Sequence, residues 1–250
     1  MRGTHDVRVR EVACVGAPHT LLLAEIGGAR SATLSISAGV HGDEPVPPWA
    51  LFSIVSSGLL DSRYAYRLWP CTNPTGYQAG TRFNAEGQDI NRSFSRGGLT
   101  PEAKAIITAT RDRKFALSMD LHEDFEAEGC YCYEPANNGD SLSQAVIEAL
   151  DDAGCPVQDM THSFDLGYPS DTGYKLSLKR GRVITNPREE VKHFEGLPYS
   201  IYIARRAARR SLTFESPRKR SWNERIAMHR LAVTSVLAAL VKVSSTTIEK

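Results

Sequence analysis

No apolar run in the 250-residue sequence is long enough to span a membrane, which takes roughly 18 residues. Cysteine is sparse. Cys14, Cys71, Cys130, Cys132 and Cys155 are an odd set at irregular spacings, which excludes a disulfide framework and suggests ordinary reduced thiols. An excess of either charge is also missing: 30 Lys and Arg face 29 Asp and Glu, for a formal net charge of +1. Neither a nucleic acid nor a membrane surface is therefore the expected partner. The amino terminus, MRGTHDVRVREVACVG, has no apolar h-region followed by a small-residue cleavage site, so no secretory signal is expected and a cytoplasmic location is the default. Repeats, low-complexity tracts and linkers are lacking as well, and a single domain over residues 1–250 is expected.

What is present is a chain that is 41% hydrophobic and 24% charged, with enough apolar material for a sizeable core. Apolar periodicity switches between two residues and 3.6 along the chain. It predicts strands at 7–15, 21–26, 32–38, 66–69, 115–121, 131–133 and 211–214, and helices at 49–58, 141–153 and 223–243. Pro45, Pro47 and Pro48 crowd the start of the first helix, where proline is tolerated. Thr100-Pro101 begins a further helix, as N-cap and first-turn proline. The segment 71–98 reads as a polar loop, and 155–200 carries no clear pattern. Alternating strands and helices predict an α/β fold, with a mixed, mostly parallel twisted sheet covered by helices on both faces.

Four short stretches carry chemistry. In SISAGVHGDE a buried strand runs into Gly39 and presents His41 and Glu44 as H-x-x-E. Imidazole and carboxylate at this spacing can hold zinc, but surface pairs of the same spacing are common. In MDLHED a strand delivers His122 at its carboxyl end, as a third ligand or as a hydrogen-bonded structural residue. The loop NPTGYQAGTRFNAEGQDINRSF turns tightly at Asn73-Pro74 and Gly76. It then concentrates Arg82, Asn84, Asp89, Asn91 and Arg92, directional groups that suit a binding loop better than a merely solvated one. In SLTFESP, Glu215 ends an apolar strand, where partial desolvation raises a carboxyl toward the range of a general base; its plainer reading is a strand-end partner for a nearby arginine.

The order H-x-x-E, N-P-x-G, R-x-N-x-x-G-x-D-x-N-R-x-F, strand-end His, T-F-E resembles the M14 family of zinc carboxypeptidases from His41 to Glu215. The resemblance implies one zinc ion on His41, Glu44 and His122, with a water in the open fourth position. It implies that Asp89 backs the first zinc histidine, that Arg82 steadies the carbonyl oxygen as it becomes an oxyanion, and that Asn91 and Arg92 grip the substrate's terminal carboxylate. Glu215 matches the general base. Such a site hydrolyses an amide bond without a covalent intermediate, and no nucleophilic Ser or Cys motif is present.

There are departures. Gly42-Asp43 stands where digestive members carry an arginine, so H-G-D-E looks like short bacterial members, among them murein-peptide amidases, and like the aspartoacylase and succinylglutamate desuccinylase branch. A covering tyrosine is not placed, with Tyr168, Tyr174, Tyr199 and Tyr202 as candidates. Cys130-x-Cys132 reads as core thiols and the Arg205, Arg206, Arg209, Arg210 cluster as a solvated helical face; His162 and His193 read as structural or exposed. The leading expectation is a carboxypeptidase acting on small peptides. The alternatives are an amidohydrolase acting on an N-acyl amino acid or cell-wall peptide, and a metal-binding pseudo-enzyme, which the presence of Arg82 and Glu215 disfavours. Monomer and homo-oligomer both remain open.

Overall fold

The computed structural model describes residues 7–27, 32–94, 99–136, 141–159, 177–186, 188, 191–192 and 196–246. Its strands are β1 (Val7–Ala13), β2 (Thr20–Ile26), β3 (Thr33–Ala38), β4 (Ala65–Trp69), β5 (Leu117–Asp124), β6 (Tyr131–Pro135), β7 (Ser177–Lys179), β8 (Arg182–Thr185) and β9 (Ser211–Pro217). Its helices are α1 (Val46–Ser56), α2 (Pro74–Ala79), α3 (Pro101–Thr110), α4 (Leu142–Asp152), α5 (Tyr199–Arg206) and α6 (Trp222–Thr246). The strands form one mixed sheet in the order β1-β2-β4-β3-β5-β9-β6-β8-β7. Its centre, β4-β3-β5-β9, is parallel, as expected where helical crossovers join the strands.

The period of two within each strand divides the core. Leu34 and Ile36 of β3, Leu117, Met119 and Leu121 of β5, and Leu212 and Phe214 of β9 pack against α1, α4 and α6. On the other face, α3 and α5 cover Trp69, Leu21 and Leu23. Full burial of each such side chain stabilises the fold by about 1.5–3 kcal/mol. That second face carries a polar row as well, with Ser35 and Ser37 beside Ser118 and Asp120 in the β3–β5 register.

Several boundaries differ from the periodicity. Helix α1 begins at Val46, so Pro47 and Pro48 lie in its first turn, where their missing N–H groups cost nothing. Strand β5 runs on to Asp124 and β9 to Pro217, which puts His122 and Glu215 two residues inside their strands rather than at the ends. The two are register partners. Asn73-Pro74 is not a simple turn: Asn73 caps α2 by accepting a hydrogen bond from the Gly76 N–H. Thr100 and Ser141 cap α3 and α4 as expected. Strands β7 and β8 lie in the stretch that showed no pattern, and helix α5 begins at its end. Arg205 and Arg206 end α5, whereas Arg209 and Arg210 lie beyond it. Cys130 and Cys132 are buried free thiols. Tyr168, Tyr174, His162 and His193 lie outside the described residues.

No helix among the described residues is long and apolar enough to cross a membrane. The long helix α6 instead lays Met228, Val233, Val236 and Leu240 on the sheet. It also carries His229, which is fully buried, set edge-on to Phe214 at 5.0 Å, with Nε2 3.1 Å from the Ser216 hydroxyl. Burial pushes this imidazole down to about 3. The unfolded chain, with a histidine near 6.5, therefore binds more protons at intermediate pH. Stability from this group is complete above about pH 6.5 and falls as pH drops toward 3, by up to about 1.4 kcal/mol per pH unit. Denaturant titrations between pH 4 and 8 are expected to show this decline in the wild type and a flatter profile in His229→Gln.

Candidate metal centre and substrate cavity

Three elements bring the donors together. After β3, Gly39 turns the chain with φ of 65° and sets His41 and Glu44 before α1, while β5 supplies His122. The loop fits only because Gly42 lacks a side chain: a Cβ there would lie 1.9 Å from the Gly76 carbonyl carbon. Asn73 secures this contact. Its buried side-chain amide donates to the carbonyls of Val40 and Arg82, each at 3.2 Å, and its backbone N–H donates to the Gly39 carbonyl. The motif N-P-x-G thus joins the two loops back to back. In the second loop Asn84 accepts from the Gln88 and Glu86 N–H groups and donates to buried Glu102, which shapes the approach to Asp89.

His41 Nδ1 lies 2.5 Å from Glu44 Oε1, and His122 Nδ1 lies 3.0 Å from Glu44 Oε2. One ligand atom from each of the three residues falls within 4.8 Å of the others, and all three residues are buried. Behind the rings, His122 Nε2 lies 3.1 Å from Asp120 Oδ2. Among the described residues the buried His41 Nε2 has no hydrogen bond; it lies 3.5 Å from Asp89 Oδ1. The Glu123 backbone N–H donates to Glu44 Oε2 at 3.0 Å. Two imidazoles turned by carboxylates toward a third, shared carboxylate make a donor set that fits a divalent transition metal.

The charges agree with that fit. Burial alone pushes the Glu44 carboxyl up, but His41 and His122 outweigh it and hold it well below the carboxylate range. Burial likewise opposes the charge on Asp89, and His41 and Arg82 overcome it. Burial disfavours the His122 imidazolium, yet Glu44, Asp120 and Glu215 raise the ring above its ordinary value. Glu215, fully enclosed, is pushed well up by burial and by the charges of Glu44, Asp124 and Asp120, against the lowering influence of His122. A cation beside it would draw it down again.

Around these groups opens a cavity of about 270 Å³ lined by His41, Glu44, Arg82, Asn91, Arg92, His122 and Glu215, among others. Seven of the eight residues singled out from sequence thus share one cavity, and the eighth, Asp89, stands behind it holding Arg82 by Nε and Nη2, both at 3.0 Å. Arg82 Nη1 reaches to 3.4 Å from His41 Nδ1. Asn91 accepts from the Tyr199 N–H through Oδ1. Tyr199 and Tyr202 pack on Phe94 and neither lines the cavity, so neither covers it. Four contributors escaped the sequence reading. Asp120, two residues before His122 in M-D-L-H, shares its face by strand periodicity and was legible on that ground. Glu123 points to the opposite face, where its carboxylate takes the Val46 N–H at 3.0 Å and pairs with Arg225. Tyr131 and Tyr133 line the cavity from β6.

A sheet whose parallel centre carries a His-Glu-His group on one face, under a loop of arginine and asparagine, defines a metallo-carboxypeptidase-like hydrolase. Within that class, the succinylglutamate desuccinylase/aspartoacylase catalytic domain matches residues 30–174, more than half of the chain, and the chain belongs to that family. Carboxypeptidase SOL1 of Arabidopsis thaliana is 30% identical over 33% of this chain and 21% of its own length; the chain therefore spans about a fifth of that relative. A candidate metallopeptidase from Shewanella amazonensis superposes with a TM-score of 0.73 at 22% identity, covering 93% of this chain and 87% of that one. A metallo-carboxypeptidase from Burkholderia cenocepacia gives 0.64 at 19%, covering 96% and 65%. At these identities the two structures establish the fold.

Replacing Asp120 by Asn removes the negative charge behind His122, and one of the two acceptor oxygens that His122 and Ser37 use, with little change of shape. Zinc affinity, read by competition with a chromophoric chelator, is expected to fall about tenfold or more, with the circular dichroism spectrum unchanged.

Proposed function

We propose that this protein is a zinc-dependent carboxypeptidase that hydrolyses the amide bond next to the free carboxylate of a small peptide. The observation that carries the reading is the convergence, in one cavity, of His41, Glu44, His122, Arg82, Asn91, Arg92 and Glu215. His41, Glu44 and His122 hold the zinc ion. When bound, zinc polarises the scissile carbonyl and acidifies the attacking water.

The chain's own groups do the rest. Arg92 grips the substrate carboxylate with its planar guanidinium. Asn91, whose Oδ1 is taken by the Tyr199 N–H, turns its amide NH2 to the same carboxylate. Together they fix the scissile bond relative to the metal donors. Arg82 is locked by Asp89 with Nη1 toward His41, where it stabilises negative charge developing on the carbonyl oxygen. Glu215, buried opposite His122 in register, takes a proton from the attacking water and returns it to the leaving amine.

A second reading keeps this machinery and changes the acyl half: deacylation of an N-acyl amino acid. The family match over residues 30–174 favours it, and so does a cavity of about 270 Å³, at the small end of ligand pockets. Both readings release an amino acid.

Mass spectrometry of products from a mixed library of peptides and N-acyl amino acids, incubated with zinc-loaded protein, tests the proposal. Loss of single carboxy-terminal residues supports the carboxypeptidase, whereas intact peptides beside cleaved acyl amino acids favour the second reading. Glu215→Gln is expected to lower kcat by about 10²–10⁴; equal cleavage by this variant would remove Glu215 as the base. Arg92→Lys is expected to raise KM about tenfold, because an ammonium does not reproduce the bidentate contact.

A further inference from the structure

The balanced net charge of the chain conceals an uneven surface. Residues 111–114, Arg-Asp-Arg-Lys, follow α3 and lead toward β5. Residues 205–210, Arg-Arg-Ala-Ala-Arg-Arg, end α5 and lead into β9. The fold lays these stretches side by side. The Phe115 N–H donates to the Ala207 carbonyl and the Arg209 N–H to the Phe115 carbonyl, both at 2.8 Å. Lys114 Nζ donates to the carbonyl of Arg206, 92 residues away, at 3.0 Å. Alone, the second stretch is a solvated helical face; beside the first it becomes a patch. Seven basic side chains gather with one acid, Asp112, at the amino ends of two paired strands, and the remainder of the chain is net acidic.

Local needs account for little of this charge. Helices α3 and α5 both end here, and each helix end carries roughly half an elementary negative charge. Two such ends and Asp112 leave most of the cations unbalanced. Arg111, Arg113, Arg205, Arg206 and Arg209 are exposed, and among the described residues none of them pairs with a carboxylate. Elsewhere on the surface, Arg63 and Arg180 pair with Asp61 and Asp151. Like charges held this close repel one another in the folded state and gain from an outside counter-charge.

The chemistry of the patch sets its partner. Guanidinium forks bind phosphate oxygens in pairs. Neither segment has an aromatic or long aliphatic side chain, so nucleic-acid bases find no stacking platform and acyl chains no wedge. Contact is confined to charge at a surface. None of these side chains lines the cavity; they form the end of the sheet. A duplex, being convex, would touch that end along a narrow line, whereas a plane of headgroups meets all the arginines at once. The strand from Leu117 to His122 spans roughly 17 Å, which keeps the metal donors clear of the contact. We propose that the basic edge formed by residues 111–114 and 205–210 docks this protein on an anionic lipid surface. Docking of this kind does not depend on which bond the cavity hydrolyses.

Sedimentation of the full chain with lipid vesicles tests this. Vesicles of phosphatidylcholine and phosphatidylserine in equal parts are expected to bind it at low salt, and phosphatidylcholine alone is not. Binding is expected to vanish at about 0.5 M salt, where charges are screened within roughly 4 Å. Each arginine near such a surface contributes about fivefold in affinity. Arg205→Gln combined with Arg209→Gln is therefore expected to weaken binding about 30-fold, with the circular dichroism spectrum unchanged. Arg180→Gln combined with Lys219→Gln removes the same charge outside the patch and is expected to bind as the wild type does. No binding to the anionic vesicles, or an equal loss in both double variants, overturns the proposal. Release of vesicle-bound protein by duplex DNA at equal phosphate concentration also overturns it, and assigns the edge to nucleic acid.

Discussion

The Glu44 carboxylate sits out of water between two imidazoles and a backbone N–H, and the local architecture follows from keeping it there. A buried carboxylate without partners costs several kcal/mol, so His41 Nδ1, His122 Nδ1 and the Glu123 N–H must all arrive together. Their arrival depends on the β3–β5 register, which sets Ala38 opposite Leu121. A one-residue slip would turn His122 to the wrong face and bring Leu121 to the carboxylate. The hydrophobic face of β5 therefore protects the polar one, because Met119 and Leu121 are locked in the core under α1 and α6.

Strand β5 divides labour between its two faces. Asp120, His122 and Asp124 serve the cavity, with Asp120 tied back to the Ser37 hydroxyl at 2.7 Å. Glu123 serves the scaffold, joining the first turn of α1 to Arg225 of α6. The site is thus braced from both sides of the sheet. The braces consist of charge-assisted contacts inside a low-dielectric region, where each is stronger than it would be at the surface.

Much of this was legible in the sequence because it lies in short, dense motifs. Asp89, Asn91 and Arg92 fall within a loop dense enough in directional groups to suggest binding, the roles of His41 and Glu44 follow from the family resemblance because H-x-x-E alone is common at surfaces, and the helix caps at Thr100 and Ser141 follow from local chemistry. The parts that were not legible depend on partners distant in sequence. Nothing near Tyr133 announces that β6 runs antiparallel to β9 and sets that ring beside Thr213. Strands β7 and β8 are three and four residues long, too short for periodicity to separate from loop. Helix α5 begins after Pro198 without a side-chain cap, so its start carries no signal of its own. Asn-Pro suits a turn and a cap equally well, and only the Gly76 N–H that Asn73 Oδ1 accepts identifies the cap.

The contact of Gly42 with Gly76 leaves no room between the loop that holds two of the metal donors and the loop that carries Arg82, Asp89, Asn91 and Arg92. The two segments, some thirty residues apart in the chain, behave as one part with a common backbone tolerance. A graft of either loop alone onto a related scaffold would inherit a clash or a gap at that seam. Variation in what the cavity accepts is correspondingly easier on β8, β9 and α5, whose side chains can change without disturbing the joint. The molecule thereby separates the part of its site that must be inherited whole from the part that is free to diverge.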